Sequence, residues 1–222
     1  MGLPAACLFD LDGLLLDTEP LHSQAWLEAT SAYGLILAAD QLLALRGRRR
    51  LDCAEQVRSW IAQADLVPPS REVLLAVRQP IAEQLMRQVP AMPGAQMLVE
   101  RCIAQAIPAA LVSSSSAAAV AHKSGPHGWI ALLETRVLGD DPDLGAGKPA
   151  PDPYLLAARR LGVDPAACWA FEDSLAGARS AKAAGCLVHV LLPAEQQLAV
   201  GLKPQLPGGC TLLQSLEQVK LS

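Results

Sequence analysis

Four short clusters in the chain carry residue types suited to chemistry on an anionic substrate. "CLFDLDG" places Asp10 and Asp12 two residues apart after an apolar run, with Gly13 next. "LVSSSS" places Ser113 to Ser116 after another such run, and "CWAFED" ends a third on Glu172 and Asp173. Lys148 lies in the Gly/Pro-rich "GAGKPAPDPY". In an extended segment, residues two apart face the same way, so Asp10 and Asp12 can address one group. Gly13 permits close backbone approach. Four carboxylates, one ammonium and several hydroxyls on one rim suit a hard cation and a phosphate. Singly, each cluster has an ordinary explanation. Asp and Gly favour turns, serine caps helices, and an acidic pair complements a helix dipole. Their recurrence in order, each after an apolar run or in a loop opening a helix, is what makes chance a poor account.

These residues need elements to bring them together. "AACLF", "AALV" (109–112), "CWAF" (168–171) and "LVHVL" (187–191) read as fully buried parallel strands. "PDPYLLAARRLG" and "SLAGARSAKAAG" read as helices closed by glycine. Strand alternating with helix predicts a doubly wound, mostly parallel α/β sheet with a Rossmann-like core, whose ligands sit outside the carboxyl ends of the strands.

Residues 18–89 contain no strand run and are expected to form a small all-helical domain inserted after strand 1. The core is then residues 1–17 and 90–222. Within the insert, one helix is capped near Thr18 and stopped at Gly34, and a second starts at Asp40 and ends near Gly47. A third runs to Pro68-Pro69, and a fourth from Ser70 is kinked at Pro80. Asp17 and Glu19 are expected to cap the entry to the insert, and Asp140 and Asp141 to be solvated.

With 222 residues, 51% of them hydrophobic, the chain can bury a large core. A net charge of −4 argues against nonspecific binding to nucleic acid or anionic membrane. No apolar stretch reaches the roughly 18 residues of a spanning helix, and no secretory signal is expected. The six cysteines form no C-x-x-C pair and are expected to be buried thiols of a cytoplasmic protein.

"DLDGLLLDTE", "LVSSS", "GKPAPDPY" and "FEDSLAG" together resemble the four motifs of the haloacid dehalogenase superfamily. The "DGxLxDTE" wording and the helical insert resemble its branch with a helical cap, which holds β-phosphoglucomutase and the sugar-phosphate phosphatases. The resemblance implies Asp10 as a nucleophile that forms an aspartyl-phosphate and Asp12 as general acid and base. It implies Mg²⁺ bound by Asp10, the backbone carbonyl of Asp12 and Asp173, with Glu172 acting near the metal through water. Ser113, the amide of Ser114, and Ser115 would hold phosphoryl oxygens, and Lys148 would offset the negative charge. In the cap, His22, Gly47 and Arg50 are the implied substrate contacts, and Arg78 stands near the position of a mutase lysine. That replacement favours a phosphatase over a mutase. The expected substrate is a small phosphorylated metabolite, a sugar phosphate, and the expected state is a monomer. A phosphosugar mutase and a phosphoglycolate phosphatase fit the same motifs.

Overall fold

The computed structural model describes residues 2–45, 50–192 and 206–221. The chain divides into two compact units, residues 1–17 with 90–222, and residues 18–89.

The first unit is built on a six-stranded sheet. Its strands are β1 (Ala6–Phe9), β2 (Ala109–Val112), β3 (Thr135–Val137), β4 (Cys168–Glu172), β5 (Leu187–Leu191) and β6 (Thr211–Leu213). Their order is β3-β2-β1-β4-β5-β6, and every neighbouring pair is parallel. All residues of β1, β2 and β4 are buried, which is why these strands read as unbroken apolar runs. One face packs Ala6, Leu8, Ala110, Val112 and Ala170 against α7 (Asp152–Leu161) and α8 (Leu175–Ala183). Cys7, pointing the other way, meets Cys102 of α5 (Ala95–Ala104).

Local sequence sets the helix ends. Ser174 accepts a hydrogen bond from the Gly177 amide at the start of α8, and Ser116 caps α6 (Ala117–Ser124) in the same way. Gly162, left-handed at φ +69°, closes α7.

The second unit holds α1 (Glu19–Ser31), α2 (Ala39–Leu45), α3 (Arg50–Gln63) and α4 (Arg71–Met86). Trp26, Leu37, Leu45, Val57, Ile61 and Leu74 form its core. Ile61 and Leu74 are fully buried, a gain of about 1.5–3 kcal/mol each relative to exposure.

The structure adds to the sequence reading in several places. β3 and β6 were not among the expected strands; each has three residues, and only the last of each is buried. β4 runs one residue further than expected, so Glu172 is the buried end of the strand. α3 ends at Gln63, followed by Asp65 at φ +57°, well before the prolines. α4 continues through Pro80. Thr18 stands at the start of α1, but its side chain makes no capping bond. Gly47 lies outside the described residues.

Candidate active site

The sheet reverses direction at β1: β2 and β3 build outward on one side, and β4 to β6 on the other. The crevice beyond the carboxyl ends at such a switch point is where open α/β sheets take ligands. Asp10 directly follows β1, Ser113 directly follows β2, and Glu172 and Asp173 stand at the end of β4. The ladder fixes this convergence, because Phe9 pairs with both Leu111 and Phe171.

Lys148 ties the rim together from the loop before α7. Its Nζ donates to Asp10 Oδ1 at 2.5 Å, to Glu172 Oε1 at 2.5 Å and to the Val112 carbonyl at 2.9 Å. Glu172 also accepts from the Tyr154 hydroxyl at 2.5 Å and the Ser174 hydroxyl at 3.2 Å. Gly177 is required beside it, since a Cβ there would run into the Glu172 carboxylate. Glu172 is completely buried and serves as the anchor of Lys148 and Tyr154.

Electrostatics follow from this burial. Desolvation pushes the Asp10 carboxyl up to about 7; Glu172 and Asp12 push the same way, and Lys148 opposes them. Burial alone would lower Lys148, yet Asp10 and Glu172 hold its ammonium above the ordinary lysine value. Lys148 is therefore a fixed positive charge at neutral pH. Burial, then the adjacent Glu172, raises the Tyr154 hydroxyl well above its usual range, so it remains a donor.

Oxygen atoms of Asp10, Glu172 and Asp173 lie within 4.8 Å of one another. This all-carboxylate set fits a hard divalent cation. Glu172 is fully buried and accepts from Lys148, Tyr154 and Ser174, whereas Asp10 gives one oxygen, Oδ1, to Lys148. Gly13, at φ +82°, supports this fit, because a Cβ on it would occupy the place of the Asp173 carboxylate.

A second group lies alongside. Ser113 Oγ accepts the Ser115 amide at 3.1 Å, which curls the loop after β2. Gly139 lets that loop pack closely, since a Cβ there would strike the Ser114 carbonyl. Ser115 Oγ donates to Asp12 Oδ2 at 2.9 Å. Lys123 Nζ donates to both Asp12 oxygens, at 2.5 and 2.6 Å, and to Ser115 Oγ at 2.9 Å.

The structure thus brings together Asp10, Lys148, Glu172 and Asp173, and beside them Asp12, Ser113, Ser114 and Ser115. His22 and Arg50 belong to the helical unit. There His22 Nδ1 is 3.0 Å from Arg78, and Arg50 donates to Gln79 at 3.0 Å. Sequence reasoning missed Tyr154 and Lys123. Tyr154 closes the "GKPAPDPY" stretch, so it stood within the signal. Lys123 carried a fainter one, as the lone lysine in an otherwise Ala-rich helix that starts at the serine loop.

Comparison with known proteins agrees with this geometry. The chain is 35% identical over 194 residues to a probable pseudouridine-5'-phosphatase of Drosophila melanogaster, covering 84% of this chain and 80% of that protein. It is 34% identical over 187 residues to the fructose-1-phosphate phosphatase YqaB of Escherichia coli, covering 82% and 93%. The fold is similar to a crystal structure of a haloacid dehalogenase family hydrolase from Deinococcus radiodurans with bound phosphate and sodium. That match has a TM-score of 0.78 and 29% identity, and covers 98% of this chain and 94% of that one. Residues 4–185 match the haloacid dehalogenase-like hydrolases as a family. With the acids, serines and lysine gathered on one switch-point rim and most of the length matched, the chain belongs to the haloacid dehalogenase-like hydrolase family.

Proposed function

We propose that the protein is a Mg²⁺-dependent phosphatase that hydrolyses a small phosphorylated metabolite, a sugar phosphate, through an aspartyl-phosphate on Asp10. The observation that carries this reading is the Lys148 ammonium held between Asp10 and Glu172 at the end of β1 and β4. A phosphate dianion and a carboxylate nucleophile repel each other, and a fixed cation beside the nucleophile offsets that repulsion. Asp10, the Asp12 carbonyl and Asp173 would hold Mg²⁺, which supplies further charge neutralisation when bound, with Glu172 acting behind them.

In the first half-reaction an Asp10 carboxylate oxygen attacks phosphorus, and the bond from phosphorus to the leaving oxygen breaks. Asp12 gives that oxygen its proton. In the second half, water attacks phosphorus and passes its proton to Asp12. The bond to Asp10 then breaks, and inorganic phosphate leaves. Ser113 and the Ser114 amide would hold the phosphoryl oxygens, the Ser115 hydroxyl and amide being engaged by Asp12 and Ser113, and His22 and Arg50 would read the leaving group. The reading takes the enzyme as a cytoplasmic monomer. The two relatives above are named as a probable pseudouridine-5'-phosphatase and a fructose-1-phosphate phosphatase, which supports the substrate class.

The test is a panel of phosphorylated metabolites assayed with Mg²⁺ and with EDTA. Phosphate release that needs Mg²⁺ and is abolished by Asp10→Asn is expected. Turnover that survives Asp10→Asn would overturn the nucleophile. β-Glucose 1-phosphate with a bisphosphate primer is one arm; formation of glucose 6-phosphate there, without free phosphate, would instead make the enzyme a mutase.

A further inference from the structure

The two acids that follow β1 are served by different lysines. Lys148 meets Asp10 from the loop before α7, whereas Lys123 meets Asp12 from the last turn of α6. Lys123 is 5% exposed, although it sits in a helix whose other residues are mainly alanine. Burying an ammonium costs several kcal/mol before its partner repays it, and a hydrophobic residue would serve stability as well. Ordering a long, flexible side chain adds further entropic cost. The side chain of Lys123 runs back toward the N-terminal end of α6, as helical side chains do. There it closes a ring with Asp12 and Ser115, each member bonded to the other two. Ser115 is fixed in turn through its amide on Ser113. The Asp12 carboxylate therefore has a defined position set by three elements: the turn after β1, the loop after β2 and α6.

We propose that Lys123 is a positioning residue for proton transfer at Asp12: with Ser115 it holds the Asp12 carboxylate where it accepts the proton of the water that hydrolyses the aspartyl-phosphate. This rests on the phosphatase reading above. Lys123 touches neither Asp10 nor phosphate in this assignment. Its effect passes entirely through Asp12. Misplacing a reacting group by about 1 Å costs on the order of 10²-fold in rate, so loss of Lys123 is expected to cost that order in kcat; because only the second half-reaction is slowed, KM should fall in step and kcat/KM should change less than about threefold.

The experiment uses p-nitrophenyl phosphate, whose leaving group departs without a proton. In Lys123→Met, Asp10 still becomes phosphorylated, but water attack is slow. A burst of about one equivalent of nitrophenolate per enzyme should precede slow steady turnover. Lys123→Arg, which offers a carboxylate two parallel donors, should recover most of the rate. In the double variant Asp12→Asn/Lys123→Met, the second change should cost less than about threefold beyond Asp12→Asn alone. Lys123→Gln goes through the same cycle and replaces Lys123→Met if the latter does not fold by circular dichroism.

Losses that multiply in the double variant, or a slow variant without a burst, would overturn the role of Lys123. The phosphatase reading itself is judged separately, by whether Asp10→Asn abolishes turnover. If it does and the losses multiply, only the positioning role falls.

Discussion

The rim of the sheet and the helical unit hold their polar residues in opposite ways. On the rim, the Lys148 side chain is 6% exposed and donates to three acceptors. Glu172, fully buried, accepts from three donors. In the helical unit Arg50 is exposed and bonds one glutamine. Arg78 is the exception there. It is buried over the Trp26 ring and against His22, and burial pushes its guanidinium down to about 10. The contrast separates two tasks. On the proposed reading, the groups that make and break bonds are each fixed by several partners. Arg50, which on that reading tells substrates apart, bonds one glutamine among the described residues and can be replaced without disturbing the rest. If that division is right, substitutions on the rim damage stability and turnover together, and those in the helical unit do not.

The largest effect is expected from Lys148→Met. It leaves the Asp10 and Glu172 carboxylates buried with no cation between them. Breaking a buried pair in this way costs about 3–5 kcal/mol, and turnover should fall by more than about 10³-fold. Denaturant unfolding and a phosphate-release assay measure the two losses. A stable Lys148→Met protein would show that the rim is not held by this lysine, and the contrast between the units would fail.

Glu172→Gln is a smaller perturbation of the same network. The amide keeps an acceptor for Lys148 but removes the charge behind the metal site. Outer partners of metal ligands typically contribute 10–100-fold to affinity or activity, so Mg²⁺ dependence of turnover should shift to concentrations higher by about that factor. An unchanged Mg²⁺ titration would make Glu172 a packing residue only.

The sequence made much of the rim legible, and the reasons are physical. A parallel strand buried on both faces must be a continuous apolar run, so β1, β2 and β4 announced themselves, and the polar residues at their ends stood out; β5 was read from a similar run, although Leu187 is exposed and His189 only partly buried. β3 and β6, "TRV" and "TLL", have three residues each and fully bury only the last, so neither formed a run long enough to be read. Lys148, Glu172 and Asp173 lie within recognisable wording. Lys123 does not. Its importance depends on the direction in which α6 returns its side chain toward Asp12, 111 residues away in the chain. Tyr154 reads as an ordinary core aromatic until its hydroxyl is seen on Glu172. The helical unit was legible as helices from caps and periodicity. Which of its polar residues matter was less so, because exposed arginines look alike in a sequence.

A pH experiment sharpens the rim's side of the comparison. In metal-free protein the folded-state pKa of Asp10 is raised, by burial first, to about 7 from an ordinary 3.8. Between about pH 4 and 7 the folded protein therefore binds more protons at this group than the unfolded chain. Stability falls as pH rises through that window and levels above it. Asp10→Asn cannot titrate, so with EDTA its melting temperature should decline less than that of the native protein between pH 5 and 7.5. For a chain of this size each kcal/mol corresponds to about 2–4 °C, and a difference of a few degrees is expected. Mg²⁺ should flatten the native profile by favouring the charged carboxylate. Parallel profiles for the two proteins would show that Asp10 does not carry the burial penalty.

The smallest structural effect is expected from Arg50→Ala, and its smallness makes it informative. Among the described residues the Arg50 side chain bonds Gln79, at the exposed start of α3. Surface substitutions of this kind usually stay within about 0.5 kcal/mol, so the melting temperature should move by no more than about 2 °C. Any change in catalysis then cannot be ascribed to damaged folding. If Arg50 reads the leaving group, KM should rise several-fold for substrates carrying a charged or polyhydroxylated leaving group. It should barely change for p-nitrophenyl phosphate, which has neither. kcat for the latter should stay near that of the native enzyme, because the rim residues are untouched. Equal loss on both substrates would mean that Arg50 acts on the phosphoryl group, and the helical unit would then share in the chemistry that the sheet unit is here assigned alone.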